Sequence, residues 1–349
     1  MKNISLEIEH CAKRILELQQ SDGRINWIDG GIFDPWNHSL CAMALNVAGY
    51  RSQAELAFSY LRQLQLFDGS MPGQCGASAP MDKANRKMLA DKAMPLNDTN
   101  FAAFPIFAIY HSFLINGDKG WLEAQLPLID AAVKFVLIHQ SPHGEIAWRR
   151  KEQGENSEDI DALRTGNCSI YKSLLAAIEI DRICGRSSEE LHVKTMAIAD
   201  ALRNKPFRFD RTWESKSRFA MDWYYPVLCG VLSGQEAKIA INERFDEFVD
   251  VGLGCRCVSD QPWTTTAETC ELVMALLSIG NEQRAKELMQ TIKPLRADNG
   301  GYWMGWQSQE NIFWPMERPS WTAAAVVLAL DSLHNISPAS QLLGGDHLA

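Results

Sequence analysis

The 349-residue sequence predicts an all-α fold, a closed α/α toroid in which about twelve helices form an (α/α)6 double ring. Strand-type alternation is almost absent, whereas helical periodicity extends through most of the chain. Six segments are apolar on nearly every side, and they alternate with amphipathic segments. A turn of the pattern Gln-x-x-Asp-Gly recurs along the chain, which indicates an internal repeat.

The apolar segments predict an inner ring, because a helix that is hydrophobic on every side has to be buried. They begin near His38, Asn100, Cys168, Asp222, Thr266 and Trp321. The amphipathic segments predict outer helices over about 5–19, 53–66, 121–139, 187–203, 235–249 and 281–292. An open solenoid of helix pairs is the competing architecture, but it would need polar caps at its ends, and neither terminal helix offers one.

The recurring turns are expected at the ends of outer helices. They lie at residues 19–23, 65–69 and 140–144, with a weaker copy over 297–303. Each turn ends in glycine, which suits the left-handed conformation that closes a helix. A tryptophan follows the glycine at several of these turns, so part of the high tryptophan content is expected to pack the outer ring.

One toroid domain is expected over residues 1–336, because a ring cannot close with half of its helix pairs. Residues 69–100 interrupt the pattern with several glycines and prolines. A connection of this length in a compact domain is typical of a lid or a binding loop, although an ordered surface loop without function is the alternative. Residues 337–349 are expected to form a frayed C-terminal tail.

Composition excludes several classes of partner. Lys and Arg number 34 and Asp and Glu 43, which gives a net charge of −9 and argues against nucleic acid as a ligand. No apolar run is long enough to span a membrane, and the nine cysteines lie mostly in apolar runs typical of a reducing, cytoplasmic setting. No phosphate-binding glycine loop and no paired zinc motif occur, so neither a cofactor nor a metal is expected.

Polar and aromatic residues gather where the inner helices begin, and those helix starts converge on one mouth of a double ring. Acidic residues there have an alternative role as helix caps, but capping does not call for a tryptophan beside each acid. The mouth is therefore expected to bind a small-molecule substrate. The candidate substrate-binding residues are Trp36, Asp98, Asn100, Trp223, Tyr224, Tyr225, Arg256, Trp263, Trp303, Trp314 and Trp321.

Asp222 is the first candidate for a general acid or base. It precedes Trp223, Tyr224 and Tyr225, and burial among aromatic side chains raises the pKa of a carboxyl group. Glu317, which lies just before the last inner helix, is a second candidate.

Two further carboxylate arrangements are expected at the mouth. Glu268 and Glu271 lie three residues apart on one helix face, so that one is expected in the cavity and the other paired with Arg256. Asp34 and His38 lie four residues apart and are expected to form a carboxylate–histidine dyad if the helix begins by Asp34. The alternative for His38 is a buried histidine with satisfied hydrogen bonds.

The repeats resemble the Gln/Trp repeats of squalene and oxidosqualene cyclases. The segment from Trp263 to Glu268 resembles the cyclase motif Asp-Cys-Thr-Ala-Glu, and the stretch over 300–325 resembles the last repeat of protein prenyltransferase β subunits. The whole chain resembles single-domain bacterial prenyltransferase-like proteins. Two departures stand out: Thr264 occupies the position of the cyclase acid, and the stretch matching the prenyltransferase zinc site has neither Cys nor His.

This resemblance implies a metal-independent enzyme that acts on an isoprenoid by acid–base chemistry, with aromatic faces stabilising a carbocation. A carbohydrate-active hydrolase or lyase is the first alternative, because paired carboxylates and tryptophan platforms are what sugar cleavage requires. A non-catalytic binding scaffold is the second. The residues alone leave these three functions open.

Overall fold

The computed structural model describes residues 2–73 and 98–344, and it confirms the predicted α/α toroid. The inner helices are α2 (Pro35–Val47), α4 (Thr99–Asn116), α7 (Arg164–Ile183), α9 (Ala220–Leu228), α11 (Thr266–Ser278) and α13 (Ser320–His334). The outer helices are α1 (Lys2–Leu18), α3 (Arg51–Leu64), α6 (Leu126–Leu137), α8 (Glu189–Asn204), α10 (Gly234–Phe248) and α12 (Glu282–Thr291). Two short helices, α5 (Lys119–Glu123) and α14 (Gln341–Gly344), lie outside this alternation.

The inner ring is closed. Each inner helix packs on the next in chain order, and α13 packs on α2, which excludes the open solenoid. The inner helices are rich in buried alanine and leucine, and small side chains allow them to approach closely around the axis. Each outer helix packs its apolar side on the inner ring, and α1 lies against α13. This alternation is the one that the amphipathic and fully apolar segments predict.

In the described part of the chain, five short strands lie in the connections. Strands β1 (Val249–Asp250) and β2 (Gly254–Cys255) form one antiparallel pair. Strands β3 (Trp263–Thr265), β4 (Gly305–Gln307) and β5 (Ile312–Phe313) form an antiparallel sheet in the order β3-β4-β5. Strand β3 leads directly into α11, so this sheet lies at the end of the toroid where the inner helices begin.

The recurring turns join successive outer helices. The side-chain amide of Gln19, after α1, donates to Gly23 O and to Gln53 O at the start of α3, at 3.3 and 2.9 Å. Gln65 repeats the pattern toward α6, and Gln140 repeats it toward α8. At Gly23, φ is +97° and an added Cβ would overlap the backbone carbonyl of α3, so glycine is required there.

The C-terminal segment is ordered up to residue 344, so the expectation of a frayed tail is wrong for this part of the chain. Helix α14 packs on α11 and α13 at the end of the ring opposite the inner-helix starts. Leu342 and Leu343 are buried there, and burial of two leucines supplies the stabilisation that a polar tail would lack. Most of the lid predicted over 69–100 lies outside the described residues.

Candidate active site

A cavity of about 210 Å³ lies where the inner helices begin. Its walls come from α2, α9, α11 and α13, and we call it the mouth. It is lined by Trp36, Asn37, Leu40, Met221, Ala267, Glu268, Glu271, Trp321 and Ala325. A narrower cavity of about 30 Å³ lies deeper on the axis, shares Leu40 and Glu271 with the mouth, and ends at Leu343 of the C-terminal segment. The axial space is therefore a pocket lined by acidic and aromatic groups at its open end.

Glu271 lies at the junction of the two cavities and is held by two tyrosines of α9. The hydroxyl groups of Tyr224 and Tyr225 donate to its two carboxylate oxygens at 2.5 and 2.9 Å. Burial and the nearby charge of Glu268 raise the pKa of Glu271 to about 7, against the lowering effect of the tyrosine hydrogen bonds. The contribution of both tyrosines to the mouth is therefore to hold the Glu271 carboxyl group in place.

Glu268 lines the mouth one helical turn before Glu271. The hydroxyl of Thr265, the residue that precedes α11, donates a short hydrogen bond to its carboxylate. The predicted pairing with Arg256 is wrong. The Arg256 guanidinium instead donates to both carboxylate oxygens of Asp250 at 2.6 and 2.8 Å, because the β1–β2 turn brings Asp250 to it.

Asp34 caps α2 and lies directly behind the mouth. Its carboxylate accepts hydrogen bonds from the indole N–H of Trp27 at 2.6 Å and from the Asn37 side-chain amide at 2.7 Å. Asn37 itself lines the mouth, so one hydrogen bond separates Asp34 from the cavity. Burial raises the pKa of Asp34. The sequence did not predict Asn37 as a site residue. Its position three residues after the capping Asp34 is the signal that could have identified it.

Asp98 caps α4, the helix next to α2 in the ring, and accepts a hydrogen bond from the backbone N–H of Asn100 at 2.7 Å. Burial, together with the charge of Asp34, raises the pKa of Asp98 to about 7. Asn100 is buried, and its side-chain oxygen has no hydrogen-bond partner among the described residues. The structure therefore brings Asp34 and Asp98 together at the starts of two neighbouring inner helices.

The predicted dyad of Asp34 and His38 is wrong. His38 Nδ1 accepts from the backbone N–H of Ile25 at 3.1 Å, and Nε2 lies 3.0 Å from the carbonyl oxygen of Ala57. Both ring nitrogens are thus used by backbone groups, and burial lowers the pKa of His38 to about 4. The alternative of a buried, satisfied histidine is correct.

Asp222 is buried in the first turn of α9, and it lies 3.8 Å from the Arg164 guanidinium at the start of α7. Its Oδ1 atom has no hydrogen-bond partner among the described residues, and burial raises its pKa. It does not line the mouth, although its neighbour Met221 does. Asp222 therefore lies beside the cavity, on the wall opposite α2.

The predicted binding tryptophans divide into three groups. Trp36 and Trp321 line the mouth, and their indole N–H groups are buried without a partner among the described residues. Trp223 does not belong to the mouth, because it stacks on Phe248 at 5.1 Å and donates to Ala240 O of α10 at 2.9 Å. Its place between the two rings corrects the prediction that it binds substrate.

The remaining predicted tryptophans lie on the small sheet at this end of the toroid. Trp263 donates to the backbone carbonyl of Trp314 at 2.6 Å, and the two rings meet edge to face. Trp303 stacks on Phe313 in the same region. Glu317, in the segment that leads to α13, accepts a backbone hydrogen bond from Met304 and does not line the mouth.

Other features of the described residues do not suggest a second catalytic centre. A groove of about 770 Å³ lies between α1, α12 and α13, but Arg296 in it is paired with Glu7 and Lys286 with Glu282. No group of three or more His, Cys, Asp or Glu among residues 2–73 and 98–344 could hold a metal ion. Within the same ranges, no helix is long and apolar enough to cross a membrane.

The fold is the α/α toroid that solved glycosidase structures also have. A wild-type glycosidase structure superposes with a TM-score of 0.71 at 11% identity, covering 96% of this chain and 97% of that chain. The GH63 mannosylglycerate hydrolase from Thermus thermophilus, in complex with Tris and D-glycerate, gives 0.65 at 10% identity over 92% of this chain and 99% of that one. At such identities the likeness establishes the fold alone. No family model matches the chain.

A curated relative establishes the family. The MMP endo-(1,4)-3-O-methyl-alpha-D-mannosidase of Mycolicibacterium hassiacum is 39% identical over 340 residues, which are 97% of this chain and 89% of the relative. The chain belongs to the family of this mannosidase and is an enzyme of the glycoside hydrolase class. The isoprenoid function is therefore wrong. The resemblance to cyclases and prenyltransferases holds for the toroid and not for the activity, and the carbohydrate alternative is the better one.

Proposed function

We propose that this enzyme hydrolyses α-mannosidic bonds within an oligosaccharide or polysaccharide, and that it does so at the mouth. The carrying observation is the pair of buried indole N–H groups of Trp36 and Trp321, which lack partners among the described residues and lie beside Glu268 and Glu271. A buried donor without a partner costs free energy until a ligand satisfies it. Sugar hydroxyl groups accept such hydrogen bonds, and the apolar faces of sugar rings stack on indoles, whereas a hydrocarbon offers no acceptor.

Glycoside hydrolysis requires one carboxyl group that donates a proton and one carboxylate on the other face of the sugar. Two acidic pairs supply them in this proposal: Asp34 with Asp98 on the side of α2 and α4, and Glu268 with Glu271 on α11. Around the six-helix ring, α4 stands three places from α11 and α2 stands two places from it, so neither helix of the first pair adjoins α11. A sugar in the mouth would lie between them.

The Asp34–Asp98 pair is assigned as the proton donor, with Asp98 as the member that transfers the proton, because Asp98 is partly exposed whereas Asp34 is buried behind Asn37. Two neighbouring carboxyl groups do not readily ionise together, and the raised pKa of Asp98, about 7, keeps a proton on the pair near neutral pH. This proton passes to the glycosidic oxygen as the bond from that oxygen to C1 breaks. Glu268 takes a proton from the attacking water, whose oxygen forms the new bond to C1. Glu271, held by its two tyrosines, keeps the α11 side of the mouth fixed.

The walls of the mouth also fit a methylated sugar. Besides the two indoles, the apolar side chains of Leu40, Met221 and Ala325 line the mouth. A methyl ether buried against them removes apolar surface from water, whereas an unmethylated hydroxyl at the same place would lose its hydration. We therefore propose that α-(1→4)-linked mannosides carrying 3-O-methyl groups are preferred over unmethylated ones.

The test uses purified protein with α-(1→4)-linked mannose oligosaccharides, with and without 3-O-methyl groups, and follows new reducing ends. We expect hydrolysis of the methylated series, and a loss of about 10²–10⁴ in kcat for D98N, D34N and E268Q. Glu243→Gln, at an exposed site on α10, is the matched control and is expected to keep wild-type kcat. Wild-type rates in D98N and E268Q would refute the residue assignment. Failure of the wild-type enzyme to cleave either series would refute the proposed activity on α-mannosides.

A further inference from the structure

A cluster of aromatic and apolar side chains lies beside the mouth, two of them exposed and three partly buried. Trp263 of β3, Trp306 of β4 and Trp314 after β5 form it together with Phe313 and Met316, and we call this cluster the aromatic rim. Trp314 is 49% exposed and Met316 74% exposed, whereas most large apolar residues in the described ranges are buried. An exposed apolar patch of this kind marks an interaction site more often than a packing requirement.

The rim is held in place by backbone pairing. Strand β4 pairs with both β3 and β5, which places Trp306 opposite Thr264 on one side and Phe313 on the other. The Trp263 indole donates to the backbone carbonyl of Trp314, so this contact does not depend on the Trp314 side chain. The Trp263 and Trp314 rings lie 5.0 Å apart at 81°, and those of Trp306 and Phe313 5.2 Å apart at 68°. A preformed surface of this kind loses little conformational entropy when a ligand binds.

The rim continues into the mouth through the chain itself. Strand β3 ends at Thr265, and Glu268 follows one turn later on the mouth wall. On the other side, Met316 leads within five residues to Trp321, which also lines the mouth. A saccharide bound in the mouth and extending outward along this side would therefore meet the rim.

We propose that the aromatic rim binds sugar residues of an extended α-mannoside at positions beyond those next to the scissile bond. The proposal rests on the proposed function, since it takes its ligand from that activity. Indole rings suit this role because they stack on the apolar faces of successive sugar rings, and they do so without large entropy cost. The mouth alone, at about 210 Å³, is too small for a long oligosaccharide, so an enzyme acting inside a chain needs such outer binding positions.

The test compares a short and a long α-(1→4)-mannoside with wild type, Trp314→Ala, Trp314→Phe and Phe207→Ala. Phe207 is 72% exposed on the 3₁₀ turn Pro206–Arg208 and serves as the matched control. For W314A we expect the ratio of kcat/KM for the long to that for the short substrate to fall roughly tenfold, mainly through KM. W314F is expected to recover most of this ratio, and F207A to keep it. Circular dichroism and thermal melting check that each variant folds.

An unchanged ratio in W314A would overturn the rim assignment while leaving the proposed function intact. If the wild-type enzyme cleaves no α-mannoside, the proposed function fails. Calorimetric titration with the long oligosaccharide then tests separately whether the rim binds sugar. Weaker binding by W314A than by F207A would still support the rim. Equal binding by the two variants, or no binding by the wild-type protein, would overturn it.

Discussion

Replacing His38 by glutamine tests whether this histidine is part of the buried frame or of the chemistry. In the neutral imidazole, Nδ1 accepts from Ile25 N–H and Nε2 donates to Ala57 O. Glutamine offers an acceptor oxygen and a donor nitrogen in the same region but does not titrate. The substitution therefore keeps most of the polar pairing and removes the effect of pH.

The expected magnitude follows from the pKa of His38, which burial lowers from 6.5 to about 4. The native state binds fewer protons than the unfolded state between these values. The stabilisation by neutral His38 is therefore fully present above pH 6.5, and it is lost as the pH falls toward about 4. The difference between the two pKa values corresponds to about 3 kcal/mol of folding stability, of which about 2 kcal/mol is lost by pH 5.

The assay is urea unfolding of wild type, His38→Gln and the control His192→Gln at pH 7 and pH 5. His192 is exposed on α8, so its replacement is expected to leave the pH dependence as it is. We expect the stability gap between wild type and H38Q to shrink by about 2 kcal/mol at pH 5. A gap of the same size at both pH values would refute the reasoning. A loss of kcat of about 10² or more in H38Q would restore the catalytic interpretation.

Three further outcomes are expected. The kcat/KM of the wild-type enzyme on its mannoside substrate should fall as the pH rises through about 7, since Asp98 then loses the proton that the mechanism needs; a flat profile from pH 6 to pH 9 would contradict its role as donor. Trp223→Phe should lower the free energy of unfolding by about 1–2 kcal/mol through the lost hydrogen bond to Ala240 O, while KM stays at the wild-type value. Leu343→Ala should destabilise by about 2–5 kcal/mol in urea unfolding, because it empties the floor of the axial cavity; a change under 1 kcal/mol would mean that α14 contributes little.

The architecture could be predicted because the residues of each helix indicate whether that helix lies in the inner or the outer ring. Helix α4 is apolar all round and lies inside, whereas α1 has one apolar side and lies outside. Chain order then sets the ring, since each helix pairs with its successor. The sequence did not predict that the C-terminal segment 337–344 is structured, because two buried leucines in a short polar stretch show no periodicity.

The direction of a side chain on a fully buried helix is what the sequence does not reveal. Trp223 and Tyr225 are close together on α9, yet one packs outward on Phe248 and the other reaches Glu271 at the axis. Successive residues on a helix point about 100° apart, and an all-apolar helix gives no polar face from which to fix the rotation. The spacing of Asp34 and His38 was misleading for a related reason. Asp34 has an extended cap conformation, and its carboxylate accepts from the Trp27 indole and the Asn37 backbone N–H instead of reaching His38.

The recurring Gln-x-x-Asp-Gly turn explains why the fold could be predicted while the activity was mistaken. Its glutamine side chain bridges its own turn and the next outer helix, and its glycine lies against that helix's backbone. The glutamine bridge and the close glycine contact are both required for stacking helix pairs around a ring, and neither involves the mouth. Any toroid built from such pairs can meet them with the same residues, whatever it binds. The motif is therefore evidence for architecture alone. Evidence for chemistry has to come from groups that the packing of the ring does not use, such as the indole N–H groups of Trp36 and Trp321, which have no hydrogen-bond partner among the described residues.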